Sequence, residues 1–339
     1  MFRNKSILIT GGTGSFGKGF LRYLIKNYKG FKKIIIFSRD ELKQFEMAST
    51  FSEKKYPFIR YFIGDVRDLD RLKRALEEVD YVIHAAALKQ VEAAEYNPFE
   101  VIKTNIIGAQ NIIEACLDSP VVKKVVALST DKSVSPVNLY GATKLCSDKL
   151  FVSANNIVGK KNKIFSVVRY GNVMGSRGSV IPEFIKQKKA GVIKITDPEM
   201  TRFNITMPES IKLVIYALNK SIGGEIFVPK IPSYKITTLA KAIADKAKIN
   251  IMGVRLGEKI HEELISSSEA INTVDIGKYY AILSPSLEKS NNPLSRALYK
   301  KYLKQKGVKK VKKNFEYISG KNIKFLNTSE IRKLLKTIS

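Results

Sequence analysis

The chain has 339 residues, of which 44% are hydrophobic, so it is long enough to bury the core of one large domain, or of a large and a small one, and is not a disordered chain. It contains only two cysteines, Cys116 and Cys146, and two histidines, His84 and His261, from which no cluster of metal-ligand spacing can be built, so we expect no structural zinc or other metal site. The formal net charge of +28 is typical of nucleic-acid-binding proteins.

The distribution of this charge argues against a nucleic-acid site. Residues 289–339 hold 15 lysines and arginines against two glutamates, and eight lysines with no acid lie between Lys300 and Lys313. The aromatic interleaving of a single-strand binder is missing there. We therefore predict a solvated, lysine-rich segment and no nucleic-acid partner, with a different anionic partner left open.

Targeting signals are not predicted. The first strand pattern begins by Ser6, and no apolar run approaches the roughly 20 residues that a membrane span requires. We expect a cytoplasmic protein without a signal peptide and without a membrane partner.

The first predicted element is a short apolar strand from Ser6 to Thr10, followed at once by a glycine-rich turn that opens a helix. Three glycines, Gly11, Gly14 and Gly17, recur at every third position of this turn. Glycines let the backbone approach a pyrophosphate closely, and the helix N-terminus faces its negative charge. The turn therefore predicts a dinucleotide site.

The second predicted strand, residues 33–37, ends in Ser38-Arg39-Asp40, with Lys43 one helical turn beyond Asp40. An NAD enzyme usually has an acidic residue directly at this strand's end, where it binds the ribose 2′-hydroxyl. Here Ser38 and Arg39 come first, and cations suit a 2′-phosphate, so NADP is predicted in preference to NAD. The alternative is a solvated turn in a lysine-rich protein.

The next elements continue the alternation of strands and helices. Strands are predicted at residues 59–64 and 81–85, with Asp65-Val66 placed to meet the adenine and small residues leading to Lys89. A long helix is predicted from Pro98 to Leu117. This order predicts an α/β fold, a Rossmann-like doubly wound parallel sheet whose site lies at the carboxyl ends of the strands.

The fifth predicted strand, from Lys124, delivers Thr130, Asp131 and Lys132 to that edge, and the following helix places Tyr140 and Lys144 on one face. A lysine charge near a tyrosine lowers the pKa of the phenol, which can then take a proton from an alcohol as hydride leaves its carbon. Such a pair also arises by chance on amphipathic helices. The pair is predicted to lie at the same sheet edge as the glycine turn and Lys89, and this favours a catalytic role for it. Asp131 and Lys132 add a second acid–base pair that a plain alcohol dehydrogenase does not need.

Beyond the sixth strand, at residues 165–170, the pattern is less regular and predicts a smaller, mixed substrate-binding region. Separate cations that converge on one cleft suit a diphosphate-bearing substrate, although each alone is more often a surface residue. They are Arg177, Arg202 and Arg255. We predict an NADP-binding domain at 1–170, a mainly substrate-binding region at 171–290 with some return to the Rossmann core, and a basic segment at 291–339.

These motifs resemble the extended short-chain dehydrogenase/reductase family over roughly residues 4–285. Within it, the chain is similar to the inverting UDP-N-acetylglucosamine 4,6-dehydratases of bacterial pseudaminic acid synthesis. The motifs that carry this likeness are Ser38-Arg-Asp-Glu-Leu-Lys43, Ala94-Glu-Tyr-Asn-Pro98, Leu128-Ser-Thr-Asp-Lys132, Asn138-Leu-Tyr-Gly-Ala-Thr-Lys144, Arg169-Tyr-Gly-Asn172, Gly175-Ser-Arg-Gly-Ser179 and Gly224-Glu-Ile-Phe-Val-Pro-Lys-Ile-Pro232.

The resemblance implies a lyase that uses NADP, acts on UDP-N-acetylglucosamine and forms a homo-oligomer. The residues implied to bind NADP, together with the three glycines, are Thr13, Ser15, Phe16, Ser38, Arg39, Asp40, Lys43, Asp65, Val66, Ala86, Tyr140 and Lys144. Those assigned to the UDP-sugar are Lys89, Thr130, Asn172, Arg177, Arg202, Arg255 and Glu258.

The reaction predicts a role for each catalytic residue. Tyr140, with Lys144 and Thr130 near it, takes the C4 hydroxyl proton, Asp131 serves as acid for the departing C6 hydroxyl, and Lys132 is the base that removes the C5 proton. We expect the charges of Lys89 and Lys144 to lower the pKa of Lys132 enough for that role. The alternatives are a 4-epimerase, a C5-retaining dehydratase, which usually carries Asp-Glu at this point, and a non-catalytic NADP-sensing or nucleic-acid-binding protein.

Overall fold

The structure of the chain is a computed structural model that describes residues 1–159, 161–176, 178–285 and 293–337. The predicted substrate residue Arg177 therefore lies outside the described residues. The strands are β1 (Ser6–Thr10), β2 (Lys33–Ser38), β3 (Ile59–Ile63), β4 (Tyr81–His84), β5 (Lys124–Thr130), β6 (Ile164–Tyr170), β7 (Asn172–Val173), β8 (Val192–Ile195), β9 (Thr201–Ile205), β10 (Ile226–Pro229), β11 (Ser233–Lys235), β12 (Lys248–Ile251), β13 (Glu263–Ile265), β14 (Thr273–Asp275), β15 (Tyr279–Ile282), β16 (Lys309–Lys310) and β17 (Tyr317–Ile318).

The helices alternate with the strands in the first half of the chain and become less regular in the second. They are α1 (Ser15–Asn27), α2 (Glu41–Thr50), α3 (Leu69–Ala75), α4 (Val91–Tyr96), α5 (Pro98–Ile102), α6 (Gly108–Asp118), α7 (Leu139–Ser153), α8 (Val180–Lys188), α9 (Met207–Lys220), α10 (Ile236–Ile243), α11 (Ser267–Ala270), α12 (Pro293–Leu303) and α13 (Thr328–Leu335).

A ten-stranded sheet forms the centre of the molecule, in the order β16-β14-β15-β10-β6-β5-β4-β1-β2-β3. Its strands from β3 to β10 run parallel, whereas β15, β14 and β16 extend the edge in antiparallel fashion. The order 3-2-1-4-5-6 is that of a Rossmann fold, in which ligands bind at the carboxyl ends of the strands. The predicted fold class is confirmed.

The central strands are covered by helices on both faces, which explains their continuous apolar sequences. Every residue of β1 is buried, and Ile7, Leu8 and Ile9 have no exposed surface. A parallel strand buried on both sides does not alternate between polar and apolar residues. The buried strands therefore hold the residues that follow each of them in place at the edge of the sheet.

The predicted helix from Pro98 to Leu117 is interrupted. Its middle, Lys103–Ile107, is a π-helix between α5 and α6. Such a bulge inserts an extra residue into a turn and is frequent at functional sites. Here it carries the buried Asn105.

The second half of the chain builds a smaller core beside the sheet. Short ladders join β7, β9 and β11, β8 and β12, and β13 and β17. Ile193, Leu239 and, from the C-terminal helix α13, Ile331 pack together in this core. The last quarter of the chain also returns to the main sheet through β14, β15 and β16. None of the helices within the described residues combines the length and apolar character that a membrane span requires.

Candidate active site

The glycine turn between β1 and α1 leaves no room for a side chain at Gly11 and Gly17. Gly11 has a φ of +62°, and a Cβ atom there would lie 2.8 Å from the backbone nitrogen of Ala86. A Cβ on Gly17 would lie 2.2 Å from the carbonyl oxygen of Gly12, so α1 packs directly on the turn. The helix α1 begins at Ser15, directly after Gly14, so the positive end of its dipole adjoins the glycine turn. These residues fit a dinucleotide pyrophosphate.

The residues predicted to hold the adenosine half lie at the ends of β2 and β3. Thr13 Oγ1 and Ser38 Oγ are 2.8 Å apart and join the glycine turn to β2. Arg39 lies 3.6 Å from Asp65, which also pairs with Arg67 at 2.7 Å. Burial raises the pKa of Asp65, but the hydrogen bonds from Arg67 outweigh it and keep that pKa below its usual range.

Both cations predicted to favour NADP are thus close to carboxylates in this structure. Lys43 pairs with Asp40, whose side chain also caps α2 by accepting a hydrogen bond from the Lys43 N–H. The Arg39 side chain is about half exposed, at 52%. An exposed ion pair contributes little stability, so either cation can exchange its partner at low cost.

The end of β5 bends into a short 3₁₀ turn, Asp131–Ser133, that carries the predicted acid and base. The Thr130 hydroxyl donates a 3.0 Å hydrogen bond to Asp131 Oδ1 and accepts one from the Lys132 N–H. The helix α7 then packs on this turn, since a Cβ atom on Gly141 would lie 2.3 Å from the Lys132 carbonyl oxygen. Only glycine allows this approach, which places Tyr140 beside Thr130.

Tyr140 and Lys144 are both buried, with 9% and 3% of their surfaces exposed. Burial raises the pKa of Tyr140 to about 12, while the charge of Lys132 and a hydrogen bond with Thr130 act in the opposite direction. A lysine charge does lower this pKa, but desolvation outweighs it, so the net shift of the Tyr140 pKa is upward and opposite to the expected direction. Burial also lowers the pKa of Lys144, against the charge of Asp148.

Lys132 lies between two buried carboxylates. Its Nζ atom is 2.8 Å from Glu262 Oε1 and 3.4 Å from Asp131 Oδ1. Burial would lower the pKa of Lys132, but Asp131 and Glu262 overcome burial and raise it. The prediction of a lowered pKa is wrong, because the nearest charges are the carboxylates of Asp131 and Glu262 and not the lysines Lys89 and Lys144.

Asp131 has no exposed surface, and burial raises the pKa of its carboxyl although the charge of Lys132 opposes this. A carboxyl with a raised pKa keeps its proton more readily, which suits an acid. Desolvation and the charge of Lys132 both lower the pKa of Lys89. The positive charges of Lys89 and Lys132 therefore lie near each other at this edge.

The predicted substrate residues divide into two groups. Asn172, in β7, hydrogen-bonds to Tyr234, and Arg202, in β9, donates to the Thr201 carbonyl at 2.8 Å and lies 3.8 Å from Glu262. These two residues lie close to the turn of Lys132. Arg255 is instead exposed and pairs with Glu92 at 3.2 Å.

The loop that carries Arg255 and Glu258 is nevertheless attached to the predicted catalytic turn. Asn138 donates a 2.8 Å hydrogen bond to the Gly257 carbonyl, and Lys259 donates to the Val134 carbonyl. Glu258 has a buried oxygen, Oε2, without a hydrogen-bond partner among the described residues. Most buried acceptors in folded proteins have a hydrogen-bond partner, so this oxygen is a candidate to accept a hydrogen bond from a ligand hydroxyl.

Sequence reasoning missed two buried residues in this site. Glu262 follows the Arg255–Lys259 motif by three residues, but nothing local indicates that it faces Lys132. Asn105 follows the polar residues Lys103 and Thr104, so nothing local marks it as a buried amide. It bonds to both backbone groups of Leu88 at 2.9 Å and to Thr143 at 3.0 Å.

Most of the chain matches a known protein family. Residues 7–284 match the family model described as polysaccharide biosynthesis protein. The chain belongs to this family. Its assignment to the extended short-chain dehydrogenase/reductases on motifs alone is likewise confirmed.

Two relatives of the chain carry different names. A UDP-N-acetylglucosamine 4,6-dehydratase (inverting) of Campylobacter jejuni subsp. jejuni serotype O:2 is 54% identical over 340 residues, which cover 99% of this chain and 98% of that protein. A UDP-glucose 4-epimerase of Rickettsia bellii is 44% identical over 342 residues, which cover 99% of this chain and 96% of that protein. Both alignments extend beyond residues 4–285 and therefore include the basic C-terminal segment.

A solved structure shares the fold over its whole length. The X-ray structure of Pen from Bacillus thuringiensis superimposes with a TM-score of 0.88 at 37% sequence identity, covering 99% of this chain and 98% of that one. The arrangement of the sheet and of the smaller C-terminal core is therefore common to both proteins.

Proposed function

We propose that the chain is a lyase that catalyses the NADP-dependent 4,6-dehydration of UDP-N-acetylglucosamine with inversion at C5. The product is UDP-2-acetamido-2,6-dideoxy-β-L-arabino-hex-4-ulose. The observation that carries the proposal is the presence of two acid–base pairs in one buried site, Tyr140 with Lys144 and Asp131 with Lys132. The name of the 54% identical Campylobacter relative supports it.

The first pair serves the oxidation of C4. Tyr140 takes the proton of the C4 hydroxyl, and the Thr130 hydroxyl orients the phenol through its hydrogen bond. Burial disfavours the phenolate, and the hydrogen bond with Thr130 acts against this effect. The dinucleotide, when bound, accepts the hydride from C4 and returns one to C6, so no external reductant is needed.

The second pair removes water. A ketone at C4 acidifies the C5 hydrogen, which Lys132 takes as a neutral amine, while the protonated Asp131 gives its proton to the departing C6 hydroxyl. The C5–H and C6–O bonds break, a C5–C6 double bond forms, and one water leaves. The inversion is proposed from resemblance to the inverting dehydratases that carry the same Asp-Lys pair, with reprotonation of C5 from the opposite face.

The binding residues are proposals of the same kind. Arg39 and Lys43 would bind the 2′-phosphate of NADP, and the glycine turn the pyrophosphate. Arg202, Arg255 and Glu258 would bind the UDP-sugar, together with Lys89, Thr130, Asn172 and Arg177. The homo-oligomer is proposed from family resemblance alone.

One assay tests the reaction. The protein is incubated with UDP-N-acetylglucosamine and NADP without a reductant, and a product lighter by one water is expected. In deuterated water, NMR of the product should show a solvent deuteron at C5 and changed ring couplings. A D-xylo product with retained C5 would contradict the inversion. Lys132→Ala should abolish water loss and leave NADP binding near normal.

The second candidate is a UDP-sugar 4-epimerase, favoured by the name of the Rickettsia relative. An epimerase needs Tyr140 and Lys144 but has no step for a base at C5. It would give an isomer of unchanged mass from UDP-N-acetylglucosamine or UDP-glucose. If the protein is an epimerase, the Lys132→Ala variant should still convert the UDP-sugar to its isomer.

A further inference from the structure

Glu262 is a buried carboxylate whose side chain points into the predicted catalytic turn from a distant part of the chain. Its Oε1 atom lies 2.8 Å from Lys132 Nζ and 3.8 Å from Arg202 Nε, and only 2% of the residue is exposed. A buried carboxylate costs several kcal/mol of solvation unless charged partners compensate it, as these two cations do.

The backbone of Glu262 is fixed independently of these ion pairs. Its N–H donates a 2.9 Å hydrogen bond to Ser319 Oγ, and its carbonyl accepts one of 2.8 Å from the Ser319 N–H. The Ser319 hydroxyl lies 2.7 Å from Thr201 Oγ1, next to Arg202. The backbone of Glu262 is therefore held by hydrogen bonds to Ser319 and not by the turn that carries Lys132.

We propose that Glu262 is a positioning residue for the proposed dehydration, which holds the Lys132 amine in place and sets the pH at which that amine can act as a base. The inference rests on the proposed function, because it needs a step in which Lys132 takes a proton from carbon. Glu262 acts through Lys132 and needs no contact with substrate.

The proposal follows from the charges that surround the amine. The titratable and charged groups that influence Lys132 are Asp131, Glu262, Arg202, Lys89, Tyr140 and Tyr234, and Lys259 also influences Glu262. Of the two carboxylates, Glu262 is the nearer to the amine. Asp131 is assigned a proton of its own as the acid, so Glu262 supplies the lasting negative charge beside Lys132.

The same contact has two separable effects. Its geometry keeps the amine from turning away from the site, and its charge favours the ammonium form, which cannot act as a base. Removing only the charge should let Lys132 lose its proton at lower pH, because an opposite charge at this distance shifts a pKa by about one to three units. Removing the contact should lower the rate at any pH.

The test compares Glu262→Gln and Glu262→Asp with the wild-type protein. Water loss from UDP-N-acetylglucosamine is followed across pH, together with NADP affinity and the melting temperature. For Glu262→Gln we expect the rise of rate with pH to move to lower pH, and the maximal rate to fall about tenfold or more because a hydrogen bond between charged groups is lost. Glu262→Asp keeps the charge, but its side chain is one methylene shorter. Its rate should therefore rise with pH at nearly the wild-type pH, while its maximal rate falls.

Glu263→Gln is the matched control. Glu263 is the next residue of the chain and accepts a 2.9 Å hydrogen bond from Ser135, but it has no ion pair with Lys132. Its substitution removes an equal charge at nearly the same place and should leave the pH profile unchanged.

Failure of the inference is distinct from failure of the proposed function. If wild-type protein releases no water, the function is wrong whatever the variants do. If it does, and Glu262→Gln keeps the wild-type pH profile, the inference is overturned, whether or not its melting temperature and NADP affinity also fall. A loss confined to those two quantities would make Glu262 a structural residue only.

Discussion

Asn105 and Thr143 are joined by a buried hydrogen bond of 3.0 Å between Nδ2 and Oγ1, which connects the π-helix to α7 next to Lys144. The same amide bonds to both backbone groups of Leu88, directly before Lys89. One side chain thus fixes both the loop after β4 and the helix of Tyr140.

Asn105→Ala should lower both stability and turnover. It leaves the N–H and carbonyl of Leu88 without their partner, which costs about 1–3 kcal/mol of unfolding free energy per unsatisfied group. Turnover should fall further than the melting temperature explains, because Lys89 and Lys144 lose their common support. Gln110→Ala, in α6, removes only a bond to Glu114 and should change neither. Equal turnover of both variants would exclude this role for Asn105.

Arg39→Ala should weaken NADP binding and leave NAD binding nearly unchanged. Arg39 pairs with Asp65 across 3.6 Å at the exposed end of β2, so a 2′-phosphate can take over the guanidinium. Titration of both cofactors measures the effect. Lys33→Ala, at the opposite end of the same strand, is the control and should affect neither. A parallel loss for both cofactors would place Arg39 outside the 2′-phosphate site.

Neutralising the exposed lysines of residues 300–313 should leave turnover unchanged. Lys304, Lys306, Lys312 and Lys313 are exposed, and Lys309 and Lys310 lie on the edge strand of the sheet, where lysines prevent pairing with other chains. A variant with Lys304, Lys306, Lys312 and Lys313 changed to glutamine should keep the wild-type rate. A large loss of turnover with intact folding would show that these charges contribute to activity.

The aromatic residue within this segment should behave differently from its lysines. Tyr302 is only 4% exposed and packs in the main core. Tyr302→Ala should cost about 3–5 kcal/mol of unfolding free energy, as for other large aromatic side chains. Denaturant unfolding measures this, and an unchanged midpoint would mean that the segment does not belong to the folded core.

Stability should fall at acidic pH through His84. Thr10 Oγ1 accepts hydrogen bonds from the N–H groups of Ala85 and Ala86, so its own proton points to His84 Nδ1, 2.9 Å away. That nitrogen is an acceptor, and burial lowers the pKa of His84 to about 3. The unfolded chain, with an ordinary pKa near ~6.5, binds the proton earlier. The contribution of His84 to the unfolding free energy is therefore complete above about pH 6.5 and is lost as the pH falls towards 3.

The measurement is the unfolding free energy of wild type and His84→Asn across this range. Asparagine keeps an acceptor near Thr10 but cannot titrate. The wild-type value should fall by up to about 1.4 kcal/mol per pH unit more steeply than that of the variant. Parallel curves would mean that His84 is not kept neutral by the fold.

The sequence by itself determined the parts of this protein that depend on local spacing. Continuous apolar runs at residues 7–9, 34–37 and 125–128 predicted a parallel sheet, because strands covered on both faces must be apolar throughout. Tyr140 and Lys144 share a helical face at any position in a fold, and Asp131 and Lys132 are neighbours in the chain.

The tertiary structure alone decided the charge states and the supports of these residues. The amine of Lys132 meets Glu262, 130 residues later in the chain, and Arg39 meets Asp65, which follows the neighbouring strand β3. A pKa depends on burial and on charges within a few ångströms in space, and neither is encoded in local sequence. For that reason the pKa of Lys132 was predicted to be lowered and is raised, although the residue was correctly placed at the end of β5.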